Sequence, residues 1–121
     1  MDAMATTLLI VDDDPRFRRL ARLMLEGEGF TVVGEAADGV GAISEVAALR
    51  PQVVLLDIQL PDISGLQVAR RITNGGGDGP AVVLTSTLDG AHFAGLTSKS
   101  GARGFVAKME LSGAALHRLV G

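Results

Sequence analysis

Short apolar runs alternate along the chain with stretches in which apolar residues recur every three or four positions. The first run, Thr7-Leu8-Leu9-Ile10-Val11, stops abruptly at Asp12-Asp13-Asp14-Pro15. An Asp followed by Pro suits the start of a helix. From there Phe17, Leu20, Ala21 and Met24 mark an apolar face, while Arg16, Arg18, Arg19 and Arg22 fill the other and read as solvated. Gly27 and Gly29 end that helix. The second run, Phe30-Thr31-Val32-Val33, leads through Glu35-Ala36-Ala37 to an Asp38-Gly39 turn. A helix with Val40, Ile43 and Ala47 follows, and Pro51 stops it. The third run, Val53-Val54-Leu55-Leu56, is uniformly apolar, the pattern of a strand covered on both faces, and it ends in Asp57.

After the turn Pro61-Asp62-Ile63-Ser64-Gly65 the positions Leu66, Ala69 and Ile72 predict a third helix. The glycine-rich stretch 74–80 is loop, because so much Gly is costly in a helix. The fourth run, Ala81-Val82-Val83-Leu84, ends in Thr85-Ser86. Residues 89–100 predict a weak fourth helix anchored by Phe93 and Leu96, since Gly90, Gly95, Thr97 and Ser98 all lower its propensity. The fifth run, Gly104-Phe105-Val106-Ala107, ends in Lys108, and a last helix from near Ser112 presents Ala115, Leu116 and Leu119. Five strand-helix units in succession imply an α/β fold, a parallel sheet with helices on both faces and right-handed crossovers.

Composition narrows the function classes. The 121 residues suit one domain, with its core over about residues 7–120, and leave no room for a separate DNA-binding or kinase domain. A chain of this length buries roughly two-thirds of its unfolded surface, so it needs no staple to fold. The absence of Cys excludes disulfide scaffolds, zinc ribbons and thiol catalysis, and fits a reducing, cytoplasmic setting. Eleven basic residues against fourteen acidic ones give a net charge of −3, which offers no footprint for nucleic acid or an anionic membrane. Apolar runs such as Leu8-Leu9-Ile10-Val11 are far too short to span a bilayer, and Met1-Asp2-Ala3-Met4 lacks the basic start of a signal peptide.

The chemistry lies at the strand ends. Strand one ends in Asp12-Asp13, strand three in Asp57, strand four in Thr85 and strand five in Lys108. Ligands of open α/β sheets bind at the carboxyl ends of the strands, near the point where the strand order reverses. If these strands are neighbours, their terminal side chains share one pocket, with strand two apart at an edge. Carboxylates at about 4 Å repel by on the order of 4 kcal/mol per pair at an effective dielectric near 20. Such a site takes up a proton or a cation. Its ligands are hard oxygens with no His or Cys nearby, and Mg²⁺ is the expected ion. A metal, a carboxylate, a hydroxyl and an ammonium together are equipment for phosphoryl transfer.

These residues resemble the receiver domains of two-component response regulators. The resemblance rests on Leu9-Ile10-Val11-Asp12-Asp13-Asp14-Pro15, on Leu55-Leu56-Asp57-Ile58-Gln59-Leu60-Pro61-Asp62-Ile63-Ser64-Gly65, on Val83-Leu84-Thr85-Ser86 and on Gly101-Ala102-Arg103-Gly104-Phe105-Val106-Ala107-Lys108. Lys108-Met109-Glu110-Leu111-Ser112 looks like receivers of the LuxR/NarL type, with Met109 where many receivers carry a cis proline. The resemblance implies a flavodoxin-like (βα)5 fold, doubly wound, with strand order 2-1-3-4-5. It implies that Asp57 accepts a phosphoryl group from the phosphohistidine of a sensor kinase or phosphotransfer protein. Asp12, Asp13, Asp57 and the backbone carbonyl of Gln59 would hold Mg²⁺, and Thr85 and Lys108 would bind the phosphoryl oxygens. Phe105 would stand at the aromatic switch position, without the hydroxyl of the commoner Tyr. The output face would be the fourth helix, fifth strand and fifth helix, through which two copies could pair. The domain would be a signalling switch that catalyses its own phosphorylation and dephosphorylation, and could regulate transcription as part of a larger regulator.

Other readings stay open on the residues alone. A binding module could keep this fold and lose phosphorylation. Asp12-Asp13-Asp14 also fits the Asp-x-Asp nucleophile motif of haloacid-dehalogenase-like phosphatases, with Asp12 as nucleophile, although Arg16 replaces their usual Thr or Val. A dinucleotide-binding fold is disfavoured by three acids where glycines should meet a pyrophosphate. The glycines at 75, 76, 77 and 79 lack the Lys-Ser/Thr of a phosphate loop. His92 and His117 have no partner in the sequence and read as surface residues.

Overall fold

The computed structural model describes residues 5–74, 79–88 and 94–120. Five strands form one parallel sheet in the order β2-β1-β3-β4-β5. They are β1 (Thr6–Val11), β2 (Phe30–Ala36), β3 (Val53–Asp57), β4 (Ala81–Ser86) and β5 (Gly104–Ala107). The helices are α1 (Pro15–Glu26), α2 (Gly39–Leu49), α3 (Gly65–Ile72), α4 (Ala94–Lys99) and α5 (Gly113–Val120). A 3-10 turn, Lys108–Glu110, joins β5 to α5.

Alternation along the strands builds two cores. Leu8 and Ile10 of β1, Leu55 of β3 and Val83 of β4 pack with Ala21 and Leu25 of α1 and Leu116 of α5. Leu9 and Val11, with Leu56 and Leu84, pack on the other face with Ala42 of α2 and Val68 and Ala69 of α3. Leu8, Leu9, Leu55 and Leu56 are fully buried, and each contributes about 1.5–3 kcal/mol by leaving water. Coverage on both faces is why β3 carries no polar residue before Asp57.

The helices start where polar caps satisfy their first N–H groups. Asp14 accepts from the N–H of Arg16, Asp38 from Gly41 and Ser64 from Leu66. Asp62, in the loop before α3, accepts from the N–H groups of Gly39 and Val40 at 2.8 and 2.9 Å. Those two bonds hold its carboxyl below the usual range.

The helix phases differ from the sequence expectation. In α1 the buried positions are Ala21 and Leu25, whereas Leu20 is 57% exposed. In α2 they are Gly39 and Ala42, and Val40 is exposed. A Cβ at Gly39 would come within 2.4 Å of Ile63 and 2.9 Å of Val68, so α2 approaches through its smallest residues instead of its largest. Leu96 of α4 is half exposed and is no anchor. Phe93, His92 and the glycines at 75–77 lie outside the described residues.

β2 is longer than its apolar run and contains a bulge. Leu8 pairs with Val32 and Leu9 with Gly34, so Val33 has no opposite residue. A one-residue slip exchanges the faces. Phe30 and Val32 accordingly pack with α1 and α5, whereas Ala36 packs with α2 and α3.

Candidate functional site

The carboxyl edge of the sheet gathers the polar strand ends. Asp12 follows β1 directly and is 0% exposed; Asp57 closes β3 and is 4% exposed. Asp13 is exposed beside them, and one carboxylate oxygen from each of the three acids lies within 4.8 Å of the others. The Lys108 ammonium, just past β5, stands 2.7 Å from Oδ2 of Asp12 and 3.5 Å from Oδ2 of Asp57. It also sits 4.4 Å above the ring of Phe17.

The backbone fixes the remaining oxygens. Oδ1 of Asp12 accepts the N–H of Asp14 at 2.9 Å, and Oδ1 of Asp57 accepts that of Gln59 at 3.1 Å. Oδ2 of Asp12 is buried with no partner in hydrogen-bond geometry among the described residues. Its charge is met by the Lys108 ammonium at 2.7 Å. Burial pushes the Asp57 carboxyl up to about 6, helped by the Asp12 charge and resisted by the Gln59 N–H and Lys108. Burial pulls the Lys108 ammonium down, but the carboxylates of Asp12 and Asp57 outweigh it and hold the ammonium above its usual value.

Three carboxylates against one ammonium leave excess negative charge at this edge of the sheet. All the donor atoms are oxygens. With three carboxylates grouped against one ammonium, this donor set fits a small hard dication.

Thr85 pairs with Asp57 across β3 and β4, and is fully buried. Its hydroxyl donates to the carbonyl of Val106 at 2.6 Å. Phe105, the neighbour of Val106, is half-buried and packs with the α2–α3 core. Met109 is 98% exposed within the 3-10 turn, and all described peptide bonds are trans.

Several contributors escaped the sequence reading. Arg18 and Arg22 are not a free solvated face: their Nε atoms each donate to Glu35 at 2.9 Å, and Arg18 also donates to the carbonyl of Asp12 at 2.6 Å. Burial pushes the Glu35 carboxyl up, but its hydrogen bonds from Arg22 and Arg18 prevail and hold it low. A Cβ at Gly65 would stand 2.2 Å from the carbonyl oxygen of Asp57, so only Gly lets α3 begin there. His117 stacks on Phe30 with centroids 4.4 Å apart, and its Nε2 lies 3.0 Å from the carbonyl of Glu28.

The fold is that of CheY-like receiver domains. The signal receiver domain of NarL from Mycobacterium tuberculosis superposes with a TM-score of 0.84 at 31% identity, over 97% of this chain and 98% of that one. The CheX–CheY–BeF3–Mg²⁺ complex of Borrelia burgdorferi gives a TM-score of 0.81 at 26% identity, over 95% and 86%. The DNA-binding response regulator MtrA of Mycolicibacterium smegmatis is 40% identical over 110 residues, 89% of this chain and 46% of MtrA. Residues 8–120 match the response regulator receiver domain family, and the chain belongs to it. It spans about half the length of the curated relatives it matches. No helix among the described residues is long and apolar enough to cross a membrane.

Proposed function

We propose that this chain is a phosphoacceptor switch in which Asp57 takes a phosphoryl group from the phosphohistidine of a sensor kinase or phosphotransfer protein. The observation that carries the reading is the enclosure of Asp57: a carboxylate ending a fully buried strand, grouped with Asp12 and Asp13 and facing the Lys108 ammonium. With its carboxyl at about 6, Asp57 is largely ionised at neutral pH and needs no base to attack phosphorus. An oxygen of Asp57 bonds to phosphorus as the phosphorus–nitrogen bond breaks. The electron pair leaves with the imidazole nitrogen, which gains a proton. Hydrolysis reverses the state: water oxygen bonds to phosphorus, the acyl oxygen–phosphorus bond breaks, and phosphate departs from a restored carboxylate.

Asp12, Asp13, Asp57 and the backbone carbonyl of Gln59 would hold Mg²⁺, which when bound offsets charge on the phosphoryl oxygens. Lys108 exchanges its contact with Asp12 for a phosphoryl oxygen. Thr85 turns its hydroxyl away from the Val106 carbonyl toward another. That exchange frees β5 beside Phe105, and so biases a pre-existing equilibrium of the α4-β5-α5 face. A cleft of about 340 Å³ lies there, lined by Phe105 and Val106 and by Ala115, Arg118 and Leu119 of α5. The same face would pair two copies.

As proposed, residues 1–121 act as one cytoplasmic receiver unit with its core at about 7–120, serving a regulator of transcription; its relative MtrA is by name a DNA-binding response regulator. A phosphatase built on Asp12 finds less support. That carboxylate has no exposed surface, one oxygen accepts the Asp14 N–H and the other faces Lys108. Beryllofluoride with Mg²⁺, followed by amide NMR, tests the switch. Signals of Thr85, Phe105 and Val106 should shift in the wild type and stay fixed in Asp57→Asn. Unchanged spectra in both would favour a binding module that is not phosphorylated.

A further inference from the structure

We infer that Arg18 is a positioning residue for the metal site, holding the peptide that joins Asp12 to Asp13. The inference rests on the proposed reading of that pocket as a Mg²⁺ site, and on a contact network that reaches it from β2.

The network begins at the bulge. Skipping Val33 turns Glu35 toward α1, where its two carboxylate oxygens accept from Nε of Arg18 and Nε of Arg22, both at 2.9 Å. The guanidinium of Arg18 is thereby anchored with its terminal Nη1 directed at the loop after β1, where it donates to the Asp12 carbonyl at 2.6 Å. The N–H of Asp12 donates in turn to the carbonyl of Ala36 at 3.0 Å. Asp12 is thus gripped at both its peptides, by Ala36 directly and by Glu35 through Arg18. The two bonds leave from different nitrogens held in one rigid plane, whereas Lys has a single nitrogen whose rotating N–H groups fix no such geometry.

The direction of the effect separates positioning from simple charge. A free cation near a dication site repels the metal, so deleting it should tighten binding. Arg18 shares the Glu35 carboxylate with Arg22, which offsets part of its charge. Its loss should instead release the Asp12–Asp13 peptide and weaken binding. Outer-shell partners of ligands are typically worth 10–100-fold in metal affinity.

Arg22 supplies the control. It binds the same carboxylate at the same distance without touching Asp12.

Calorimetric titration of the metal-free protein with Mg²⁺ tests the inference, with circular dichroism melts as a check on folding. Arg18→Ala and Arg18→Lys should each raise Kd by about tenfold, the lower end of that range. Arg22→Ala should change Kd less than twofold. If Arg18→Ala fails to fold, Arg18→Lys carries the comparison. Unchanged or tighter binding in the folded Arg18 variants would overturn the positioning role, as would an equal loss in Arg22→Ala. Failure of the wild type to bind Mg²⁺ would instead sink the reading of the pocket, and this inference with it.

Discussion

The Lys108 ammonium is closer to Asp12, at 2.7 Å, than to Asp57, at 3.5 Å. Lys108 therefore serves first as the counter-charge of the most deeply buried acid. Only by loosening that contact would it become available to a group on Asp57. In Lys108→Met both buried carboxylates lose their cation. The metal-free protein should lose roughly 1–3 kcal/mol, less than a fully buried pair because the ammonium keeps some water. Urea unfolding followed by circular dichroism measures the loss, and added Mg²⁺ should recover part of it. Unchanged stability would mean that Lys108 is not what balances Asp12.

Asp57 gives the site a defined pH dependence. Its carboxyl rises from 3.8 to about 6 on folding, through burial first. The folded state then binds more protons than the unfolded state between these values, so stability falls as pH rises through that window. The cost is complete above about pH 6. Asp57→Asn should therefore stabilise the metal-free protein at pH 7.5 by roughly 1–3 kcal/mol, from about 1.4 kcal/mol per pKa unit. The gain should vanish near pH 3.8 or below. Equal gains at both pH values would contradict burial of a charge as the cause.

Thr85 links the pocket to β5. Removing its hydroxyl leaves the Val106 carbonyl without that donor, at a cost of about 1–3 kcal/mol for a buried group. Thr85→Ala should still accept a phosphoryl group on Asp57 but fail to move the Phe105 and Val106 amide signals. Thr85→Ser should retain both. Normal shifts in Thr85→Ala would remove this residue from the switch.

Gly65 is a steric requirement. Its Cβ position falls 2.2 Å from the Asp57 carbonyl oxygen, a backbone atom that no rotamer change can clear. Gly65→Ala should destabilise by about 1–3 kcal/mol, the usual range for overpacking, or more because backbone must move. A Gly95→Ala control, with open space around it, should not destabilise. A denaturation midpoint for Gly65→Ala equal to wild type would show that α3 shifts freely.

Asp12 and Asp57 were legible in the sequence because each ends an apolar run that burial on both faces explains, and Lys108 because it ends the short apolar run of the edge strand β5. Pattern alone also gave the five units, whereas the edge place of β2 came from the strand order that the resemblance implied, and its tie to Asp12 through Ala36 and Glu35 was not foreseen. The helix phases were less legible: Leu20 and Val40 are apolar yet exposed, because α1 and α2 pack through Ala21, Leu25, Gly39 and Ala42. Close approach rewards small residues there, and hydrophobicity does not register it. The Arg18–Glu35 pair was hidden for another reason. It depends on the bulge at Val33, a register fact that no local motif in β2 announces.

The central claim is that Asp57 is the residue that carries the phosphoryl group. Incubation with acetyl phosphate and Mg²⁺, read by intact mass, tests it most directly. The wild type should gain one phosphoryl group, lose it when Mg²⁺ is chelated beforehand, and show none in Asp57→Asn. Label that persists in Asp57→Asn but disappears in Asp12→Asn, or no label on the wild type at all, would contradict it.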